Sequence, residues 1–350
     1  MCPLVKEIQA NKAFVCRICV TGQHRELIDP ILLNFDVCPD YNLSVMKENQ
    51  DLFDLTVTML PKIKELLRFE CPDLVLVHGD TTTAFVTSLA CFYLKIPIGH
   101  VEAGLRTYDF RAPFPEEWNR RVIDLAATYY FAPTERARDH LLREGIPQKS
   151  IVVTGNTGID ALRTTFCSDY HHPELDWANK SRWILLTAHR RENLGDPLRK
   201  CFQAVRRITE EFDDVKVIYP VHLNPSVRQI ATEELGGCEQ IHLIDPLDVI
   251  DFHNFLARCF LVLTDSGGIQ EEAPMLGKPV LVMRSTTERP EGILAGVARL
   301  VGNTEGSVYR GVRELLENEA LYYAMSNASN PYGDGYASRR IVEYLYQEFL

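Results

Sequence analysis

Short apolar runs alternate along this chain with longer stretches in which apolar positions recur at helical spacing. Alternation of this kind predicts parallel sheets whose strands are joined by right-handed helical crossovers. Residues 1–8 read as a helix already under way. The first strand-like run is 14–20, followed by a helix over 26–35, a short strand near 41–46 and a long helix from about 51 to 68. Strands at 74–77, 96–101, 128–132 and 150–154 come next, with helices opening after Asp80, just after Glu116 and Glu117, and after Thr134, which is placed as a cap. The texture changes at Gly155, so one domain is expected over 1–155 and a second over 156–335. The second repeats the pattern, with strands at 183–187, 215–220, 240–243, 260–264, 279–283 and 298–301 and helices between them. Residues 168–181 read as a polar connection, and an amphipathic helix is expected over 337–349. Two doubly wound α/β domains are the simplest account.

Composition narrows the class of protein. A chain of 350 residues is long enough for two ordinary domains, and 46% hydrophobic with 24% charged residues is the balance of a globular protein. No run approaches the roughly 18 apolar residues of a membrane span, and no basic-then-apolar leader opens the chain, so a cytoplasmic protein is expected. A net charge of -11 argues against general nucleic-acid binding, which rests on Lys and Arg neutralising phosphates. A local arginine cluster could still hold a small anion. The ten cysteines fall in apolar segments and read as reduced core thiols. Cys16 and Cys19 have CxxC spacing, yet in a strand those positions point to opposite faces. The ten histidines lack HExxH or another metal-ligand spacing, so no metal is expected.

The candidate chemistry sits at strand ends. Residues 74–77 run into His78-Gly79-Asp80, the next strand ends at Glu102-Ala103-Gly104, and a Pro-rich turn delivers Glu116 and Glu117 to a helix. Ligands of open parallel sheets bind outside the carboxyl ends of the strands, so these acids are candidates for one site. The plainer reading makes Asp80 an N-cap and the two glutamates partners of the helix dipole. In the second half, Thr187-Ala188-His189-Arg190-Arg191 follows a strand and could meet a phosphate at the inter-domain cleft, each charge-assisted hydrogen bond being worth about 1.5–3 kcal/mol; surface arginines beside a structural histidine are the alternative. Asp265-Ser266-Gly267-Gly268 joins a strand to a helix, where unpaired N–H groups and the dipole favour an anion and glycine permits close approach. Glu272, one turn later, could reach ribose hydroxyls; a simple tight turn is the other possibility. Neither GxGxxG nor GxxxxGK[ST] occurs. Together the motifs suggest a nucleotide-linked substrate, its diphosphate against the second domain and its reacting group near Asp80, Glu102 and Glu116. Clustered carboxylates can hold different protonation states and divide acid from base work.

HGDT at Asp80, HVEAGLRT from His100, PFPEEWNR from Pro113, HRREN from His189, DSGGIQEE from Asp265 and TERPE from Thr287 occur in one order along the chain. Together they resemble the non-hydrolysing UDP-N-acetylglucosamine 2-epimerases over essentially the whole length. The resemblance implies GT-B architecture: two Rossmann-like, doubly wound domains with the active site in the cleft between them, and a last helix, 336–350, packed back on the first. It implies conversion of UDP-N-acetylglucosamine to UDP-N-acetylmannosamine by elimination and re-addition of UDP, with no cofactor, in a homodimer. By the same resemblance the catalytic residues are Asp80, Glu102, Glu116 and His189. Ser266, Gly267, Gly268, Glu272 and Arg190 would bind substrate. A second UDP-N-acetylglucosamine would act as allosteric activator through Gln23, Glu116, Arg190 and His222, with Asn49 standing where some members carry arginine.

Members of that family begin with a strand and a loop reading GTRPEAIKMAP, whereas this chain starts at the methionine of that motif. The expectation is that the natural protein begins upstream, and that an interior strand and a diphosphate-binding Arg and Lys are missing. Three other readings compete: a truncated form that binds nucleotide sugar without turnover, a hydrolysing relative that releases UDP and N-acetylmannosamine, and a GT-B glycosyltransferase, for which no acceptor site can be read.

Overall fold

The computed structural model describes residues 1–22, 25–46, 50–111, 113–190 and 193–349. Its chain divides into two units, Met1–Ala161 with Gly333–Leu350, and Leu162–Tyr332. The first unit contains α1 (Cys2–Ala10), β1 (Cys19–Val20), α2 (Arg25–Asn34), β2 (Tyr41–Asn42), α3 (Leu52–Glu70), β3 (Val75–His78), α4 (Thr82–Leu94), β4 (Ile98–Val101), α5 (Glu116–Ala126), β5 (Tyr129–Ala132), α6 (Glu135–Arg143) and β6 (Ile151–Val153). Strands β3-β4-β5-β6 form one parallel sheet, and β1 and β2 pair in parallel as a separate ribbon. Helix α7 (Thr157–Thr165) starts in the first unit and ends in the second.

Local chemistry explains where the helices begin. Asp51 accepts the Asp54 N–H at 2.8 Å and the Asp54 side chain answers the Asp51 N–H at 3.3 Å, a reciprocal cap at the head of α3. Thr134 caps α6 through the Ala137 N–H at 3.2 Å. Leu55, Met59, Ile63 and Leu67 recur at helical spacing on α3 and are buried with Val77, Val86 and Ile98 on one side of the sheet. On the other side, Leu4 of α1 is buried with Val101 and Phe131.

The second unit contains α8 (Pro173–Trp177), β7 (Arg182–Thr187), α9 (Asp196–Glu211), β8 (Val215–Pro220), α10 (Pro225–Leu235), β9 (Ile241–Ile244), α11 (Val249–Arg258), β10 (Leu261–Thr264), α12 (Gly267–Glu272), β11 (Val280–Val282), α13 (Pro290–Leu294), β12 (Ala298–Leu300), α14 (Glu305–Glu317) and α15 (Glu319–Ser326). Its six strands are parallel in the order β12-β11-β10-β7-β8-β9. The winding reverses between β7 and β10, so a crevice opens at their carboxyl ends. Both strands are almost continuously apolar and buried, as strands covered on two faces must be. The chain then returns to the first unit with α16 (Ala337–Phe349), which packs on α1. Asp160 receives the first N–H groups of α16, from Ala337 at 3.0 Å and Ser338 at 2.6 Å.

Three expectations need correction. Only Cys19 and Val20 of the run 14–20 form a strand, because pairing with β2 begins there; residues before it alternate in exposure but have no ladder neighbour among the described residues. The polar stretch 168–181 holds a short helix, α8, with Pro173 in its first turn and the His172 ring accepting the Glu174 N–H at 3.2 Å. Of the ten free cysteines, Cys91, Cys201 and Cys259 are buried, whereas Cys19, Cys38, Cys71 and Cys167 are exposed. Their segments are apolar, but those four positions face outward. Among the described residues no helix is long and apolar enough to cross a membrane.

Candidate active site

In the first unit the site is built on the turn between β3 and α4. Gly79 has φ +65°, which L side chains adopt at a cost, and a Cβ there would stand 3.0 Å from Glu102 Oε2. Glu102 itself sits at φ +69° just beyond β4, its N–H donating to the Phe131 carbonyl at 3.0 Å. Its carboxylate is thereby laid against the Gly79-Asp80 turn. Asp80 is not the cap of α4. Thr81 performs that task through the Ala84 N–H, and the Asp80 carboxylate pairs instead with the Arg120 guanidinium. The Asp80 carbonyl also accepts from Asn119 Nδ2 at 2.8 Å. Glu116 lies three and four positions before Asn119 and Arg120, so it shares the face of α5 that meets this turn. Asp80 and Glu102 thus meet at one turn, and Glu116 stands at the start of the helix whose Asn119 and Arg120 hold that turn.

Glu117, adjacent in sequence, does different work. It is fully buried and accepts the N–H groups of Thr107 and Tyr108, each at 3.0 Å, with Arg120 at 3.3 Å. Beneath the turn lies a buried polar cluster. His100 Nε2 is 2.8 Å from the Gly79 carbonyl oxygen and Nδ1 is 2.6 Å from Asp124 Oδ1. Asp124 Oδ2 accepts from Gly104 N–H at 3.2 Å and from Arg106 at 2.7 Å, and Arg106 continues to Glu144 at 2.7 Å.

In the second unit His189 and Arg190 follow β7, and Asp265 and Ser266 follow β10, so they flank the switch point. Asp265 is completely buried and accepts the His189 N–H at 3.1 Å, the Arg190 N–H at 3.0 Å and Asn193 Nδ2 at 3.1 Å. The His189 ring stacks on His222 with centroids 5.4 Å apart. Desolvation lowers the His189 pKa from its ordinary 6.5; Asp265 opposes that shift, while His222 and Arg190 reinforce it. A neutral imidazole at neutral pH is the result. Arg190 pairs with Glu288 at 2.9 Å, and Glu288 also binds Arg284 at 2.5 Å. The buried Arg190 Nε has no hydrogen-bond partner among the described residues.

Ser266 opens α12 without a side-chain cap. A Cβ on Gly268 would meet nothing within 4 Å, so its backbone borders open space, whereas one on Gly267 would lie 3.0 Å from Glu288 Oε1. Gln270 and Glu271 hold the 287–289 loop, through Thr287 at 2.7 Å and through Arg289. Glu272 stands 3.5 Å from His253 Nε2, whose Nδ1 meets Thr165 Oγ1 at 2.7 Å. Gln23 and Asn49 lie outside the described residues. No group of His, Cys, Asp and Glu among the described residues could hold a metal ion. The supports Glu117, Asp124 and Asp265 have no distinct sequence signal beyond lying in or next to motifs.

The sequence profile of a family described as UDP-N-acetylglucosamine 2-epimerase matches residues 6–346. A UDP-N-acetylglucosamine 2-epimerase of Bacillus subtilis (strain 168) is 54% identical over 345 residues, covering 99% of this chain and 91% of the relative. A structure of S. aureus MnaA with UDP superposes with a TM-score of 0.92 at 47% identity, over 100% of this chain and 93% of that one. The UDP-GlcNAc 2-epimerase of Neisseria meningitidis bound to UDP-GlcNAc gives 0.90 at 42% identity, over 99% and 96%. Such neighbours and the two parallel α/β units make the fold GT-B type.

Proposed function

We propose that this chain, which belongs to the UDP-N-acetylglucosamine 2-epimerase family, interconverts UDP-N-acetylglucosamine and UDP-N-acetylmannosamine without net release of UDP. The observation that carries the reading is the meeting of Asp80 and Glu102 at the turn after β3, held by Arg120 of the helix that Glu116 opens. C2 of the sugar lies beside an acetamido group rather than a carbonyl, so direct enolisation is closed. Instead, a carboxylate takes the C2 proton while the C1–O bond to the diphosphate breaks, giving 2-acetamidoglucal and UDP. Re-addition of UDP at C1, with a proton delivered to the opposite face of C2, yields the epimer. Asp80, Glu102, Glu116 and His189 are the groups assigned to these transfers, each step of general acid–base help being worth about 10²–10⁴-fold. Neutral His189 is suited to exchange a proton with the leaving diphosphate.

Substrate is assigned to Ser266, Gly267, Gly268, Arg190 and Glu272. The open space at Gly268 and an Arg190 Nε without a partner among the described residues support an anion there, and Glu272, beside His253, is assigned to the ribose. An activating second UDP-N-acetylglucosamine belongs to the same reading, with Gln23, Glu116, Arg190 and His222 as its contacts; the stacking of His222 on His189 supports the choice. A homodimer also belongs to it, and apolar side chains left in solvent on α3, α4 and α5, including Phe53, Val57, Phe92, Tyr93 and Leu125, support that assembly.

Proton NMR with UDP-N-acetylglucosamine in D₂O tests the chemistry. Loss of the C2 proton signal with growth of UDP-N-acetylmannosamine is expected. Stoichiometric accumulation of UDP with free N-acetylmannosamine would replace this reading by hydrolysis, and no exchange at C2 would remove it.

A further inference from the structure

Both nitrogens of the His100 ring face acceptors. Nε2 points at the Gly79 carbonyl, which has only lone pairs to offer, and Nδ1 points at Asp124 Oδ1. A neutral imidazole carries one N–H and cannot donate twice. Asp124 could supply the missing proton only as a carboxylic acid, yet its other oxygen already takes hydrogen bonds from the Arg106 guanidinium and the Gly104 N–H. Those donors hold it as a carboxylate. His100 and Asp124 are buried, at 0% and 2% exposure, so water does not complete either group.

We propose that His100 is a positioning residue kept as a buried imidazolium, whose two N–H groups fasten the Gly79 carbonyl, and with it the turn bearing Asp80, to Asp124 on α5. Since α5 also carries Glu116, the strut sets the spacing between two acids of the site. The inference deepens the epimerase reading and rests on it for its kinetic consequence. Its electrostatics close locally: His100 and Arg106 are balanced by Asp124 and Glu144. Other charged or titratable groups facing His100 are Glu102 at the end of its own strand, which favours the cation, and His78 on β3. Desolvation, the amino terminus and His100 push His78 down to about 3, leaving it neutral. Burial is the largest influence on His100 and opposes its charge, but Asp124, the Gly79 carbonyl and Glu102 together raise its pKa.

The test is a long-range proton–nitrogen correlation spectrum of the full chain labelled with ¹⁵N-histidine, with His100 assigned by the signals lost in His100→Gln. Two protonated ring nitrogens, unchanged between about pH 6 and 8, are expected. One unprotonated ring nitrogen in that range would overturn the proposal. These spectra need no substrate, so they stand or fall separately from the epimerase reading. Kinetics supply the second arm. His100→Gln can reach Gly79 with its amide, whereas His100→Asn reaches only Asp124. Among folded molecules, kcat is expected to fall about 10- to 100-fold in His100→Asn with KM within about 3-fold, and to fall less than 10-fold in His100→Gln. Equal loss of kcat in both variants, or a change confined to KM, would reject the positioning role.

Discussion

Asp265 accepts the backbone N–H of His189 on both of its oxygens, each at 3.1 Å. The carboxylate after β10 therefore fixes the residue after β7 through its main chain, while Asp265 Oδ1 lies 3.7 Å from His189 Nδ1. Asp265→Asn keeps the volume and one acceptor but loses the charge. Because Asp265 raises the His189 pKa, its removal moves the acid limb of kcat/KM to lower pH. His222→Asn, removing a neighbour that lowers that pKa, moves the limb the other way. In the parent, His189 deprotonates below the ordinary 6.5, so kcat/KM rises with pH through that lower value. A pH profile of the three proteins checks the opposite displacements.

Gly79→Ala adds a methyl group where Glu102 Oε2 leaves 3.0 Å, at a left-handed backbone angle. The backbone term costs about 1–2 kcal/mol. Glu102 must also give by a few tenths of an ångström, which moves the carboxylate proposed for proton transfer out of place. Denaturant unfolding and C2 exchange measured together should find a modest loss of stability with a disproportionate loss of kcat.

Glu116 and Glu117 should respond to substitution in opposite ways. Glu116→Gln is expected to leave unfolding unchanged and reduce turnover by about 10²–10⁴-fold. Glu117→Ala removes the buried carboxylate that accepts the part-buried N–H groups of Thr107 and Tyr108 and pairs with Arg120, costing roughly 1–3 kcal/mol in all. Thermal unfolding beside initial rates distinguishes the two: stability falls only in the second variant.

The His100–Asp124 pair makes stability depend on pH from both sides. The His100 pKa is raised above 6.5 on folding, so its contribution is fully present below 6.5 and is lost as pH climbs through the folded value. The Asp124 pKa is depressed below 3.8, so its contribution is present above 3.8 and is lost as pH falls through the folded value. The difference in Tm between the parent and His100→Asn is therefore expected to be widest between 3.8 and 6.5, narrowing at alkaline pH.

Much of this fold is legible from residue pattern. Helix α6 runs from the Thr134 cap to Arg143 as its sequence suggests, because cap and apolar spacing are both local. Strand β1 is a counterexample: its side-chain alternation reaches back to residue 14, but a strand exists only where a neighbour supplies hydrogen bonds. The candidate site divides similarly. Asp80, Glu102, His189 and Ser266 stand at strand ends and can be found by position. Asp124 reads as an ordinary polar helix position, and nothing local separates Glu116 from Glu117. Their roles arise from loops that fold onto α5 from elsewhere in the sequence.

The return of α16 to α1, with Asp160 receiving its first N–H groups, makes the two units unequal in how they can fold. The second unit is one uninterrupted segment, Leu162–Tyr332, whereas the first needs Gly333–Leu350 as well as Met1–Ala161. Domains generally fold as units as they leave the ribosome. Here the uninterrupted middle segment can finish first, while Leu4, Val101 and Phe131 wait for Ile341, Val342 and Leu345 to cover them. A released chain cut near residue 335 would keep the whole of the second unit's sequence and leave the first with an uncovered apolar face.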